Sequence, residues 1–493
     1  MHAGISVAGC YTKNTVCDKI SESAYDKKSG RGTTMNIDFL KEITADKAEL
    51  IDIRRDFHRH PDMTGHEEPT IERIAGYLKS FGIDHEVIKD GGLFGYIYGE
   101  GYRPHDKNDD TKYEDGTTAP EVPTVMLRAD VDALPVQESE SNLNQKKVCL
   151  SENPGLCHAC GHDSHIAMLL MAAKHLALHK DQIKGRVILF FERGEEGPNN
   201  IIFVMRRITE TKLHIDTVYG CHIYYALESG KISIKSGPVM AGGVFYKVTL
   251  TGRGGHGSRP DMAANPIDCF MAVQNELNEF RMKHVDPFHA LTYAPCFVHS
   301  GKVDNVIPGD LSFGGNLRLY EPEDGVAFKK FFLETLERTC PLYGCTYTVE
   351  YMVGPKMPVK NDPACAALAR DVIGKAVGEE RIVQAEPWMA CESICGMLAM
   401  YPGVFSFVGT KNAEKGAGAL HHSPEFDIDE DVMPLGATAA AAYAVGFLAD
   451  PPAERKAWFA GTPAEFYEMS GYNEGVLSML KNGTPYTIKD GNR

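Results

Sequence analysis

Nine residues from Cys157 to His165, Cys-His-Ala-Cys-Gly-His-Asp-Ser-His, gather two thiols, three imidazoles and a carboxylate. A thiolate and a neutral imidazole two residues apart, Cys160 and His162, can face one point from a loop backbone, as ligation of a borderline-soft divalent metal requires. Cysteine is also a common small buried hydrophobe, and histidine is often satisfied by local hydrogen bonds. Alone, the cluster leaves metal binding and a scaffold role equally open.

Further groups of the same chemical type follow strand-like runs elsewhere. Thr124 to Leu127 leads into Arg128-Ala129-Asp130-Val131-Asp132-Ala133-Leu134-Pro135, and Gly185 to Phe191 leads into Glu192-Arg193-Gly194-Glu195-Glu196-Gly197. Val218 to Ile223 carries His222, and Val404 to Val408 precedes His421-His422-Ser423-Pro424. Open α/β sheets keep their sites beyond the carboxyl ends of their strands. Adjacent Glu195 and Glu196 alone would read as a solvated turn, but behind a buried apolar strand they fall at a site edge.

The elements that position these groups follow from periodicity. Leu50, Ile53 and Phe57, then Ile71, Ile74, Ala75 and Leu78, mark two amphipathic helices. Between them the charged run Arg54 to Pro61 is predicted to be a solvated face. A polar stretch holding Asp109, Asp110, Glu114 and Asp115 is predicted to be an enlarged surface loop. From residue 237 to 353 strand and helix patterns follow the order βαββαβ, which predicts a ferredoxin-like lid domain. It would be inserted between two halves of an α/β catalytic domain, residues 36–236 and 354–450, built on a central, mostly parallel sheet. Residues 1–35, polar and Gly/Ser/Lys-rich after a short apolar start, are expected to be a disordered leader, with Met35 an alternative start. Residues 451–493 show no clear period and are expected to be an extension without an assigned role.

Composition narrows the partners. A formal charge of −16 and a pI near 5.6 argue against nucleic acid or an anionic membrane as main partner. Thirteen scattered cysteines in 493 residues do not form the dense framework of a small secreted domain, so reduced thiols and a cytoplasmic setting are expected. The Ala-rich segment Ala437 to Ala449 is short for a membrane span and is expected to be a buried helix.

In their order along the chain, several runs from about Arg54 to Leu448 resemble the dinuclear metallopeptidase family of aminoacylases and glutamate carboxypeptidases. They are His58-Arg59-His60-Pro61, Arg128 to Pro135, His158 to Asp163, Glu195-Glu196-Gly197, Gly254 to Pro260, Asn305 to Pro308, and His422-Ser423-Pro424. The resemblance is strongest to the amidohydrolase branch, which includes hippurate, N-acyl-amino-acid and indole-acetyl-amino-acid hydrolases. It implies two divalent metal ions, zinc or manganese first and cobalt or nickel also compatible, held by Cys160, His162, Glu196, His222 and His422. Glu195 would be the general base, taking a proton from the attacking water and passing it to the leaving nitrogen. Asp130 would stand behind the metals and orient ligands, as would Asp163; a salt bridge to Arg128 is the plainer role for Asp130. Cys157, His158 and His165 would be scaffold.

The resemblance also implies that His256, set among Gly254, Gly255 and Gly257, helps hold the oxyanion, commonly from a partner subunit's lid. Asn305 and Arg318 would contact the substrate carboxylate, although Arg318 equally suits a surface salt bridge. The lid would make a homodimer or larger homo-oligomer. Two departures concern substrate preference: Glu192-Arg193-Gly194 replaces the family's Gln-Pro-Ala, and Glu392-Ser393-Ile394, flanked by Cys391 and Cys395, replaces Glu-Asp-Phe. The expected activity is metal-dependent hydrolysis of a small N-acyl amino acid to a carboxylic acid and a free amino acid. A dipeptidase or carboxypeptidase of the same fold is the alternative. A catalytically silent metal-binding protein is disfavoured because every metal position and the base are filled.

Overall fold

The computed structural model describes residues 37–197 and 200–486, so the expected leader lies outside the described residues. In chain order the main strands are β1 (Asp84–Ile88), β2 (Gly92–Tyr98), β3 (Thr124–Asp130), β4 (Arg186–Glu192) and β5 (Thr217–Glu228). The inserted segment supplies β6 (Gly242–Thr251), β7 (Leu291–Ser300), β8 (Asp310–Leu319) and β9 (Thr346–Lys356), and β10 (Gly403–Lys411) follows it.

The large sheet runs β1-β2-β4-β3-β5-β10 and ends on two short strands, Ile232–Ser233 and Ile382–Val383. Its centre, β4-β3-β5-β10, is parallel, while β1, β2 and the contact of β10 with Ile232–Ser233 are antiparallel. The sheet is therefore mixed, with the parallel centre expected from the sequence and antiparallel strands toward its edges. Strands β3 and β4 are buried on both faces, as a sheet covered by helices demands. Helices His162–Leu178 and Met433–Ala449, both apolar almost all round, pack against one another and against β3. Register places Asp130 beside Glu192, so β3 and β4 end level, with their chemically active residues on one edge.

The inserted segment has βαββαβ order, with Pro266–Lys283 and Pro322–Leu342 as its helices and β7-β8-β6-β9 as its sheet order, the ferredoxin-like arrangement. Alternation along β6 puts Val244, Tyr246, Val248 and Leu250 in its own core, with Phe313, Phe328 and Phe332.

Three stretches differ from expectation, the first two because buried charges need partners. In the run predicted to be solvated, Arg54 and His58 are buried, with Arg54 Nε 2.7 Å and His58 Nδ1 2.8 Å from Asp163 Oδ2. Glu138 closes the set, 3.0 Å from His58 Nε2. Within the polar insert, His105–Asp106 and Asp109–Tyr113 pair as a hairpin. Its Asp110 accepts two hydrogen bonds from buried Arg186, at 2.6 and 2.9 Å. The extension forms two helices, Pro463–Met469 and Glu474–Asn482, the first opened by a capping box between Thr462 and Glu465. Phe466, Tyr467, Val476, Leu477 and Met479 join the core that holds Ile201, Ile394 and Met397. None of the described cysteines is in a disulfide.

Asp110 is the only carboxylate among the described residues paired with Arg186. Asp110→Ala is expected to lower folding stability by about 3 kcal/mol, because it strands a buried guanidinium. The denaturant midpoint in urea unfolding measures the loss, and a shift typical of a surface substitution would contradict it.

Candidate metal centre

The loop before the His162–Leu178 helix brings Cys160 and His162 to β5 through Gly161. That residue adopts φ +88°, and a Cβ there would stand 2.1 Å from Ile223 Cδ1, so only glycine permits the approach. Cys160 Sγ lies 3.5 Å from His222 Nε2. From β4, the turn Arg193–Gly194 delivers Glu195 and Glu196. Arg193 is itself anchored to Glu67 and Glu68 at 2.9 and 2.6 Å. From beyond β10 comes His422, a non-glycine residue at φ +66°. Its backbone N–H donates to Ala159 O at 2.9 Å, and its Nε2 stands 2.8 Å from Glu196 Oε1.

Ligand atoms of Cys160, Glu196 and His422 fall within 4.8 Å of one another, as do those of His162, Glu195 and Glu196, and those of Asp130, His162, His165 and His222. Hydrogen bonds sort the histidines. His162 Nδ1 donates to Asp132 Oδ1 at 3.0 Å and His222 Nδ1 donates to Ile223 O at 2.6 Å, so Nε2 is the atom each presents to the cluster, that of His222 toward Cys160 Sγ. His162 Nε2 is buried without a hydrogen-bond partner, and Glu196 Oε1 is buried against His422 Nε2. His165 differs: Nδ1 donates to Asp130 Oδ1 and Nε2 accepts from the Ile223 N–H at 2.9 Å, so neither nitrogen is left for a metal. Imidazole and carboxylate atoms crowded beside a thiol are the donor chemistry of a divalent transition metal.

The electrostatics also call for a cation. Burial, with Glu196 and Glu195 beside it, pushes the Cys160 thiol well above its usual range. Burial and then the Glu392, Glu196 and Asp132 carboxylates hold Glu195 well above the usual carboxylate range. Burial pulls His162 down, but Asp130 and Asp132 outweigh it and raise it to about 10. A bound cation would reverse the pressure on Cys160 and Glu195.

Behind this edge lies the buried guanidinium of Arg128. It donates to Asp130 Oδ2 (2.8 Å), Glu192 Oε2 (2.7 Å) and Glu392 Oε1 (2.8 Å). Ser393 Oγ bridges to Glu192, and the Ser393 N–H donates to Glu195 Oε1 at 3.0 Å. Burial, reinforced by Glu392, pushes the Glu192 carboxyl up to about 7 against the pull of Arg128. Ser393, at one of the positions that depart from the resembled pattern, thus holds Glu195 through its backbone N–H.

A cavity of about 340 Å³ opens onto Glu195, Glu196 and His422, with Arg318, Lys356, Phe245 and Cys391 on its walls. Arg318 Nη1 donates to Cys391 Sγ at 2.8 Å and its guanidinium stacks on Phe245. Among the described residues no carboxylate forms an ion pair with Arg318 or Lys356.

The structure therefore brings together Cys160, His162, Glu195, Glu196, His222, His422 and Asp130, with Arg318 across the cavity. It leaves His256 and Asn305 elsewhere. Both are exposed on the inserted segment, where the Gly257 N–H donates to Asn305 O and Ser258 Oγ donates to His256 Nδ1 at 2.8 Å. Asp163 belongs to the Arg54–His58 set rather than to the ligands. Asp132, not singled out from sequence, touches both sides of the cluster, His162 Nδ1 through Oδ1 and the Glu196 N–H through Oδ2 at 2.8 Å. Its signal was the alternation in Asp130-Val131-Asp132, which sends the two carboxylates to the same side of an extended chain.

Cys160→Ser and His422→Ala are expected to lose bound metal, read by elemental analysis of purified protein; unchanged content would remove them as ligands. Asp132→Ala is expected to keep the fold and weaken metal affinity roughly 10- to 100-fold, as loss of a ligand-orienting carboxylate does. Competition with a chromogenic chelator measures it.

Comparison with known proteins gives this geometry a family. Residues 126–445 match the model of peptidase family M20/M25/M40. The chain is 30% identical over 405 residues to IAA-amino acid hydrolase ILR1-like 4 of Arabidopsis thaliana, covering 81% of this chain and 86% of that one. It is 31% identical over 419 residues to thermostable carboxypeptidase 2 of Saccharolobus solfataricus, covering 83% and 99%. Among solved structures, the Bacillus subtilis YXEP protein, a dinuclear metal binding peptidase from the M20 family, superposes with a TM-score of 0.63 at 24% identity, covering 82% of this chain and 98% of that one. The chain belongs to peptidase family M20/M25/M40 and is a metal-dependent hydrolase.

Proposed function

We propose that the chain hydrolyses the amide bond of N-acyl amino acids, releasing a carboxylic acid and a free amino acid. The observation that carries this is one cavity with a carboxylate and metal-donor cluster at one end and, on its walls, Arg318 and Lys356, which form no ion pair among the described residues. A hydrolytic centre and a seat for the amino acid's carboxylate then share one space. Cys160, His162, Glu196, His222 and His422 would hold two divalent ions. When bound, these ions would polarise the amide carbonyl and make water more acidic.

The chain's own groups do the rest. Glu195, fixed by the Ser393 N–H through one oxygen, takes the proton of the attacking water and delivers it to the leaving nitrogen. Asp132 keeps His162 in the tautomer that leaves Nε2 available. His256 stands outside the cavity of its own chain, so a second copy docking through the inserted segment would have to supply it to the oxyanion. The free thiols of the described residues fit the reducing cytoplasm. A carboxypeptidase activity is the second reading. It is favoured by the same carboxylate seat, which a C-terminal residue would fill, and by the Saccharolobus relative.

Glu195→Gln is expected to lower kcat roughly 10²- to 10⁴-fold, the range for a general base, with metal content unchanged; wild-type turnover would remove Glu195 as base. Amine release from a panel of N-acyl amino acids and dipeptides by the metal-loaded protein tests the substrate class, and hydrolysis of dipeptides alone would favour the second reading. Mixing His256→Ala with Glu195→Gln protein, under conditions of demonstrated subunit exchange, is expected to restore part of the activity. No recovery would contradict the shared site.

A further inference from the structure

We propose that residues 466–472 of the C-terminal extension form a selectivity wall of the active-site cavity, and that the substrate group it selects is aromatic. This rests on the cavity being the substrate site of the hydrolase described above. Phe466, Tyr467, Ser470 and Tyr472 line the same cavity as Glu195 and Arg318, yet they lie beyond residues 126–445, where the family match ends. The shared family region therefore does not supply this side of the pocket.

The wall is rigid. Phe466 and Tyr467 are buried in the core, with ring centroids 5.3 Å apart at 85°. Tyr472 meets Tyr467 edge-on at 5.0 Å and 81° and is only partly buried, which leaves its ring at the cavity. The backbone between them is pinned. Gly471 has φ +76°, and a Cβ there would stand 2.7 Å from Gly354 O, the atom that accepts from Lys329 Nζ at 2.6 Å. The extension is thus seated against the end of β9, with no room for a side chain at the contact.

The chemistry of the wall names its ligand. Aromatic edges and faces, in a cavity also lined by Phe245 and Met357, favour a planar ring that packs offset or edge-on. Arg318 and Lys356 account for the substrate's carboxylate, so the wall is free for its other group. That ring could belong to the acyl half or to the amino acid's side chain, and the ligands of the test separate the two.

The test is calorimetric titration of the full-length, metal-loaded Glu195→Gln protein, whose slowed turnover lets binding be read before hydrolysis, with N-benzoylglycine, N-acetylphenylalanine and N-acetylglycine. One of the two aromatic ligands is expected to bind at least about tenfold tighter than N-acetylglycine, the size of a well-packed ring contact. Adding Tyr472→Ala is expected to erase most of that advantage while leaving N-acetylglycine within about twofold and metal content unchanged; Tyr472→Phe is expected to preserve it. The favoured ligand tells which half of the substrate the wall reads. An absent aromatic advantage, an advantage that survives Tyr472→Ala, or equal weakening of all three ligands would overturn the proposal. Failure of the hydrolase reading looks different: ring-dependent binding would hold, but wild-type protein would release no amine from any of the three.

Discussion

Negative charge crowded at one sheet edge is the constraint on which this structure depends. Asp130, Asp132, Glu192, Glu195, Glu196 and Glu392 all stand at or just behind the carboxyl ends of β3 and β4, several of them fully buried. Carboxylates in a low-dielectric interior are tolerated only where a cation or donated hydrogen bonds compensate them. Arg128 does this from behind, reaching Asp130, Glu192 and Glu392 at once. In front, the Nε2 atoms of His162 and His222, the Cys160 sulfur and the Glu196 carboxylate form the donor set whose charge a metal would compensate. The site is a layer of carboxylates between one permanent cation, Arg128, and the donor set that would hold the proposed metal ions.

That layering explains the neighbouring architecture. As the proposed base, Glu195 would have to sit near the metals without being consumed as a ligand, and the Ser393 N–H holds one of its oxygens from a segment remote in sequence. Ser393 is in turn tied to Glu192, which Arg128 anchors. The inserted segment contributes Phe245 and Arg318 to the cavity, and the C-terminal extension adds aromatic side chains. Three separated stretches of chain therefore converge on a pocket whose chemistry is set at the edge of one sheet.

Much of this was legible in the sequence. Strong alternation identified β6 and its neighbours, and dense apolar runs identified β3, β4 and the Met433–Ala449 helix, because burial on both faces leaves no other pattern. The Cys160–His162 pair and the Glu195–Glu196 pair stood out because their residue types are costly to bury without a purpose. What escaped were partnerships across the chain. Arg54 and His58 read as a solvated face because nothing local reveals that Asp163 waits in the core. Asp132 was passed over for Asp130 because two carboxylates on one side of a strand cannot be ranked without seeing which histidine nitrogen each meets. The extension hid its helices behind weak periodicity, although Thr462-Pro463-Ala464-Glu465 carried a readable capping signal.

The position of β10 has a consequence for how such a chain comes to be folded. It lies between β5 and the Ile232–Ser233 strand, inside the large sheet, but follows the whole inserted segment in sequence. As the ribosome delivers the chain, β5 is an open edge until residues 403–411 emerge, whereas the inserted segment has all of its strands in one continuous stretch and can close its own core first. The order of synthesis thus favours early maturation of the insert and leaves the hydrolytic sheet to be completed last, by a long-range pairing of the kind that folds slowly and exposes strand edges to aggregation.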